Sequence, residues 1–347
     1  MYEMVEIDGR EGEGGGQIVR TSVALSAITA RPLRIIRVRA NRKKPGLQPQ
    51  HLAAVKAVAT VCRAETEGLS VGAERFRFVP GRPQPGNYRF EVKTAGSACL
   101  VLHAVLPVLA LASGRSSVVL TGGTHNDRAP PFDHVAKAFL PALAAMGLRA
   151  QLRLQRPGFY PKGGGEMALE LEPWDEARPF VRVEPVDEAE VSATAHVGRL
   201  PEHVARRAEA YLSQAGFRIE ISPAPSSSVG PGFAVCLHRS APGAGEVVTG
   251  FGVRGTPAEQ VIDGAVAELD ALARSRMPVG PHLADQLLLY LALGAGGRFR
   301  ACGQPSLHVQ TQVKTIARFL GARVTTTPVE GGFEAKVDGA AKVLSGV

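Results

Sequence analysis

A histidine, a glutamate set among glycines, a dense basic loop and an acid–histidine helix start are the residues of this chain whose types and spacing suit chemistry. His308 lies in Gly303-Gln304-Pro305-Ser306-Leu307-His308, between an expected strand (297–301) and an amphipathic helix (309–320). Backbone N–H groups at such a junction point outward and favour an anion. On this stretch alone, a residue satisfying the helix start is the simpler reading. Gly12-Glu13-Gly14-Gly15-Gly16-Gln17 opens a helix and is neither a Walker loop nor GxGxxG. Its glycines allow close backbone approach to phosphate. Glu13 would repel that phosphate unless a metal ion bridged the two. A tight strand–helix turn with an exposed glutamate explains the run equally well.

The run Arg39-Ala40-Asn41-Arg42-Lys43-Lys44, followed by Gln50 and His51, suits a polyanion held by phosphate contacts, or else a solvated loop. Gly122–Pro131 holds His125 and Asp127, both able to contact metal or ligand, and Pro130 or Pro131 offers a flat apolar face to a base. In Gly280-Pro281-His282-Leu283-Ala284-Asp285-Gln286, the spacing i, i+3, i+4 puts His282, Asp285 and Gln286 on one helical face. An acid in the first turn also simply suits the helix dipole. The Phe159–Gly165 stretch, with Lys162, reads as a structural connection.

These stretches need elements to position them, and hydrophobic periodicity supplies a repeating set. The first unit has strands over 4–8, 33–40 and 75–79 and helices over 17–30 and 50–63. The second has strands over 88–94, 116–121, 148–153 and 166–172 and helices over 98–112 and 133–146. The third has helices over 281–294 and 309–320 and strands over 297–301, 322–329 and 332–337. Its opening strand is expected at 180–185, left upstream by an insertion. The expected fold is a layered α/β body of three repeated units, covering 1–185 and 278–347, with a smaller α/β domain inserted in the third unit at 186–277. The loops at 39–50, 122–134 and 303–308 hold equivalent places and can converge on one cleft. The insert carries no evident chemistry.

With 347 residues, 45% hydrophobic and 21% charged, the chain has an ordinary globular composition, and its net charge of +8 suits an anionic partner. The four cysteines, Cys62, Cys99, Cys236 and Cys302, form no CxxC pair, so neither a zinc site nor a disulfide framework is expected and a reducing cytoplasm fits. The start lacks the pattern of a signal peptide, and the apolar runs at 98–112 and 287–295 are too interrupted or short to span a bilayer.

Gly12–Gln17 followed by Ile18-Val19-Arg20, then 39–50, 94–97, 122–131, 158–165, 282–286 and His308, together resemble the RNA 3′-terminal phosphate cyclases, in order and over nearly the whole chain. The resemblance implies three α/β units similar to the C-terminal domain of initiation factor 3, with an inserted smaller domain. It implies ATP-dependent conversion of an RNA 3′-phosphate to a 2′,3′-cyclic phosphate through a covalent histidine–AMP intermediate on His308. It also implies ATP contacts from His103, Pro130, Pro131 and the segment His282, Leu283, Ala284, Asp285 and Gln286. Arg20, Arg39 and Arg42, assisted by Gln50, would clamp phosphates; Glu13 and Asp285 would hold Mg²⁺ or Mn²⁺. The partners would be ATP and RNA 3′-phosphate ends, with no membrane. His103 stands where relatives often carry glutamine, and His282 where they often carry a stacking tyrosine. A non-catalytic scaffold of the same fold, binding RNA in ribosome biogenesis, is the alternative; such proteins lack the histidine. An enolpyruvyl transferase or a plain basic RNA-binding protein fits these motifs less well.

Overall fold

The structure is a computed structural model and describes residues 3–221, 228–241 and 244–339. The chain opens with β1 (Val5–Asp8), α1 (Gly16–Thr29), β2 (Leu33–Ile36), α2 (Pro49–Cys62), β3 (Glu65–Glu67) and β4 (Phe76–Val79). It continues with β5 (Asn87–Glu91), α3 (Ala98–Ala110) and β6 (Ser116–Gly122). A helical stretch follows, made of α4 (Phe132–His134), a π-helical turn (Val135–Phe139) and α5 (Leu140–Ala145), and then β7 (Ala150–Arg156) and β8 (Gly165–Leu171). Next come β9 (Phe180–Arg182), β10 (Glu190–Gly198), α6 (Glu202–Gln214), β11 (Arg218–Ile221), β12 (Gly232–Ala241), β13 (Ala244–Phe251) and α7 (Ala258–Ser275). The chain closes with α8 (Pro281–Leu293), β14 (Gly297–Cys302), α9 (Leu307–Leu320), β15 (Val324–Val329) and β16 (Gly332–Val337).

Three of the four sheets share one plan: β1-β2-β4-β3, β5-β6-β8-β7 and β9-β14-β16-β15. In each, the first strand runs parallel to the second and the remaining pairs are antiparallel. A parallel pair needs a crossover, and α1, α3 and α8 lie in those three crossovers. In the third, the chain between β9 and α8 also makes the sheet β11-β10-β12-β13, in which the first strand is central.

The body helices pack on one another as well as on their sheets, with α1 touching α2, α3 and α9, and α8 touching α9. Twelve positions of α3 are buried, from Ala98 to Ala110, which is why its sequence is apolar on every side. The residues 186–277 have a separate small core of Ala195, Val197, Leu212, Phe233, Val235, Leu237, Ile262 and Leu269. Fully burying each large apolar side chain contributes about 1.5–3 kcal/mol. No helix among the described residues is long and apolar enough to cross a membrane.

Some elements depart from the sequence reading. β2 ends at Ile36 instead of running to 40, because Arg37 and Arg39 take left-handed backbone (φ 51° and 54°). β3 was not expected: Glu65, Thr66 and Glu67 are all exposed on a sheet edge, where no apolar alternation marks a strand. The helix over 133–146 contains the π-helical turn, with Leu140 N–H donating to Val135 O next to Pro141, which has no N–H. The serine-, proline- and glycine-rich loop expected at 222–232 lies largely outside the described residues.

Candidate active site

Helix starts build the site. Ser306 caps α9, its Oγ accepting from Val309 N–H at 3.2 Å, and this sets His308 in the first turn, open to solvent. One turn on, Thr311 Oγ1 donates to Leu307 O at 2.6 Å and accepts from Glu13 N–H at 2.7 Å, which pins the glycine turn against α9. Gly12 is required here. Its φ is 60°, and a Cβ would meet Thr311 Oγ1 at 2.1 Å. Deeper along the same pair of helices, Thr21 donates to Gln312 Oε1 at 2.9 Å in a buried contact.

Gln17, at the start of α1, joins two candidate residues from distant parts of the chain. Its Nε2 donates to Asp285 Oδ2 at 2.6 Å, and its Oε1 lies 3.0 Å from His308 Nδ1. An ionised carboxylate only accepts, so above its raised pKa Asp285 fixes which end of the amide faces it. The other end is then a carbonyl, and His308 must donate from Nδ1. The consequence is a tautomer whose Nε2 keeps its lone pair. Partial burial of the ring, with Arg20, Arg42 and His282 nearby, lowers the His308 pKa and keeps the ring neutral near pH 7. Burial raises Asp285 to about 7 despite Arg20, and lowers Arg20 to about 10 despite Asp285.

Glu13 faces Arg42. The two side chains form an ion pair through Oε1, and Arg42 also donates to Glu13 O at 2.7 Å. Glu13 Oε2 is buried without a partner. A hard oxygen left in that state fits a Mg²⁺ or Mn²⁺ ligand. Asp285 offers a second carboxylate, one oxygen of which is taken by Gln17.

Arg39 braces its own loop, donating to Lys44 O at 2.6 Å and Gly46 O at 3.1 Å. Gln50 Oε1 accepts from Ser97 N–H at 3.3 Å and so joins α2 to the start of α3. His51 is buried beside Arg20 and Arg39; burial, then those two charges, lower it to about 3. A Cβ on Gly16 would meet His51 Nε2 at 2.4 Å and Arg20 Nη1 at 2.7 Å, so only glycine lets those groups reach the start of α1.

On the other side of the helix starts, His103 packs on Phe139 with ring centroids 4.6 Å apart, and its Nε2 is buried without a partner. Burial, Arg20 and His134 lower it to about 3. Gln286 Nε2 donates to His282 O at 2.7 Å, and Gln286 Oε1 lies 3.3 Å from His134 Nε2. His282 is exposed, whereas Leu283 and Ala284 turn their side chains into the core and leave only backbone for a ligand. Pro131 is buried at the start of α4, and Pro130 is half-exposed.

The loop at 122–131 divides. Asp127 is exposed and pairs with Arg128 at 3.7 Å. His125 turns inward, its Nε2 3.1 Å from Asp133 Oδ2, away from any open surface. Sequence reading also passed over Gln17, His134 and Thr311. Gln17 had one visible signal, its place directly after the glycine run. From the sequence, Asp133 and His134 mark only the start of a helix.

Comparison with known proteins gives one answer. The family model described as RNA 3′-terminal phosphate cyclase matches residues 11–326. The chain is 42% identical over 323 residues to the RNA 3′-terminal phosphate cyclase of Koribacter versatilis, covering 91% of this chain and 90% of that one. It is 38% identical over 341 residues to that of Salmonella typhimurium (97% and 99% covered), and 42% identical over 335 residues to that of Thermococcus gammatolerans (95% of each). A match of this extent settles the family: the chain belongs to the RNA 3′-terminal phosphate cyclases.

Proposed function

We infer that this chain is an enzyme that closes RNA 3′-terminal phosphates to 2′,3′-cyclic phosphates with ATP, and that His308 carries AMP between the two substrates. The observation that supports the histidine's role most directly is the Asp285–Gln17–His308 relay, which leaves Nε2 as a free nucleophile.

In the first step Nε2 attacks the α-phosphorus of ATP. An N–P bond forms, the bond to the bridging oxygen breaks, and pyrophosphate leaves with the electron pair. Nδ1 keeps its proton, held on Gln17 Oε1, so the adenylylated ring is cationic and is a ready leaving group. In the second step an oxygen of the RNA 3′-phosphate attacks the AMP phosphorus, and the imidazole departs neutral. In the third, the neighbouring 2′-hydroxyl loses its proton to solvent and attacks the activated RNA phosphorus, expelling AMP.

Every step moves negative charge among phosphate oxygens, so cations dominate the stabilisation. Arg20 and Arg42 supply fixed charge around His308, and Arg39 with Gln50 shapes the basic loop. Glu13 and Asp285 would hold Mg²⁺ or Mn²⁺, which would neutralise phosphate charge when bound. His103, with its unpartnered nitrogen, His282 and Pro130 would face the nucleotide, and Gln286 and the backbone of Leu283 and Ala284 would complete that wall beside Pro131.

The test is incubation with α-labelled ATP and Mg²⁺ or Mn²⁺, followed by RNA ending in a 3′-phosphate. Acid-labile, base-stable label on the protein, chased to free AMP as cyclic ends appear, is the expected outcome. Wild-type protein unlabelled with either metal would sink nucleotidyl transfer. Label that RNA 3′-phosphate never discharges would sink the cyclase reading alone.

A further inference from the structure

A second histidine cluster lies away from His308, where residues 186–277 meet the body. His125 comes from the loop after β6, Asp133 from α4, His196 from β10 and Cys236 from β12, and the nearest nitrogen, oxygen and sulfur atoms of the four all lie within 4.8 Å of one another. His125, Asp133 and His196 are each 2% exposed, and Cys236 is 1% exposed. Asp133 Oδ2 is 3.1 Å from His125 Nε2 and 2.6 Å from His196 Nε2. Lys137 Nζ is 3.8 Å from the other carboxylate oxygen and donates to Thr194 Oγ1 at 2.7 Å.

Hydrogen bonds alone leave this cluster incomplete. His196 Nδ1 is buried and has no partner. The Cys236 sulfur, beside Asp133, accepts from Thr249 Oγ1 at a long 3.5 Å. The fold of residues 186–277 does not itself require these side chains, since its core is made elsewhere.

We propose that His125, Asp133, His196 and Cys236 form a four-coordinate site for a zinc-like divalent metal that clamps residues 186–277 to the catalytic body. The donor set explains the composition. One carboxylate and one thiolate carry two negative charges, and two neutral imidazoles carry none, so a divalent ion gives a neutral centre suited to burial. Mixed nitrogen, sulfur and oxygen donors select a borderline metal over Mg²⁺. Metal–ligand bonds of about 2.0–2.3 Å place tetrahedral ligand atoms roughly 3.2–3.8 Å apart, so the close nitrogen–oxygen pairs must open slightly and pairs as wide as 4.8 Å must close by about 1 Å. The usual supporting contact is present on one histidine: Thr124 Oγ1 lies 2.8 Å from His125 Nδ1 and is positioned to accept its proton. On binding, the Cys236 S–H bond breaks, the sulfur–metal bond forms and the proton leaves to solvent. The site is distinct from Glu13 and Asp285, whose oxygen donors suit the harder ion.

Untagged chain, stripped with chelator under a non-thiol reductant, should be reloaded with Zn²⁺ or Co²⁺ and desalted. One retained equivalent per chain, a tetrahedral cobalt spectrum with a sulfur-to-cobalt charge-transfer band, and a raised Tm are expected. Cys236→Ser should lose that band and weaken retention at least about tenfold; His308→Ala should retain both. Wild-type chain that holds no metal, or a cobalt complex without the sulfur band, would overturn the site whether or not Cys236→Ser folds. Equal retention by folded Cys236→Ser would also overturn it, as surface histidine binding.

Discussion

Two places in this molecule set imidazole against carboxylate, and they do opposite things with the same groups. At His308 an amide stands between: Gln17 gives a proton to Asp285 and takes one from His308. The carboxylate dictates the tautomer without touching the ring, and Nε2 stays open. At Asp133 no side chain intervenes. Both His125 and His196 turn Nε2 directly onto one carboxylate oxygen, out of contact with solvent. Residue type therefore does not separate the histidine proposed as nucleophile from the buried pair. The interposed amide and the access to solvent do.

Substitutions can break or sharpen this contrast. The largest effect is expected from His308→Ala, with protein-bound label from α-labelled ATP falling to background while the fold stays intact by circular dichroism. Glu13→Ala should slow labelling by about 10²–10³-fold, as for loss of one charge-stabilising group, and raise the divalent metal concentration needed; an unchanged metal titration would remove Glu13 from the ion site. Gln17→Ala should lower the labelling rate roughly 10–100-fold with little change in the ATP concentration for half-saturation, because it loosens ring orientation and leaves ATP contacts in place.

The buried cluster should respond in the other currency. His196→Gln is expected to lower stability by about 2–4 kcal/mol, read from denaturant unfolding, with labelling per folded chain unchanged. A matching loss of labelling would erase the distinction between the two sites.

The smallest effect concerns pH. Asp285 is raised from its unfolded value of 3.8 to about 7. The folded state thus binds the extra proton between those values, and its stabilising contribution is lost as pH rises through about 7. Asp285→Asn should raise the Tm by a few degrees at pH 8 and by less at pH 5. In the wild type, protonating Asp285 adds an O–H donor beside the remaining acceptor and no longer fixes which end of the Gln17 amide faces it, so labelling should decline as pH falls below about 7, with a shallower decline in Asp285→Asn. His308, lowered by burial, should stay competent below the ordinary histidine range.

Much of the architecture was legible because each body sheet begins with a strand, a crossover helix and a parallel strand, and that alternation leaves apolar periodicity in the chain. Even the displaced opening strand could be placed, since Phe180–Arg182 pairs with β14 across the insertion. β3 was hidden because its three residues are charged or polar and held only at an edge. The end of β2 was hidden because nothing marks an arginine as left-handed. For the site, His308, Glu13 and Asp285 belong to local motifs and could be singled out. Gln17, Thr311 and Asp133 could not, because their importance lies in partners far along the chain, such as Asp285 for Gln17, 268 positions away.

The contact between Glu13 N–H and Thr311 Oγ1 spans 298 positions. A ribosome adding roughly 5–20 residues per second makes the glycine turn on the order of 15–60 s before it makes the threonine that holds it. During that interval the nascent chain has neither the histidine nor the surface that orders the turn. If His308 carries AMP as proposed, nucleotide turnover cannot begin before α9 is made, and a fragment truncated before α9 is expected to take no label from ATP.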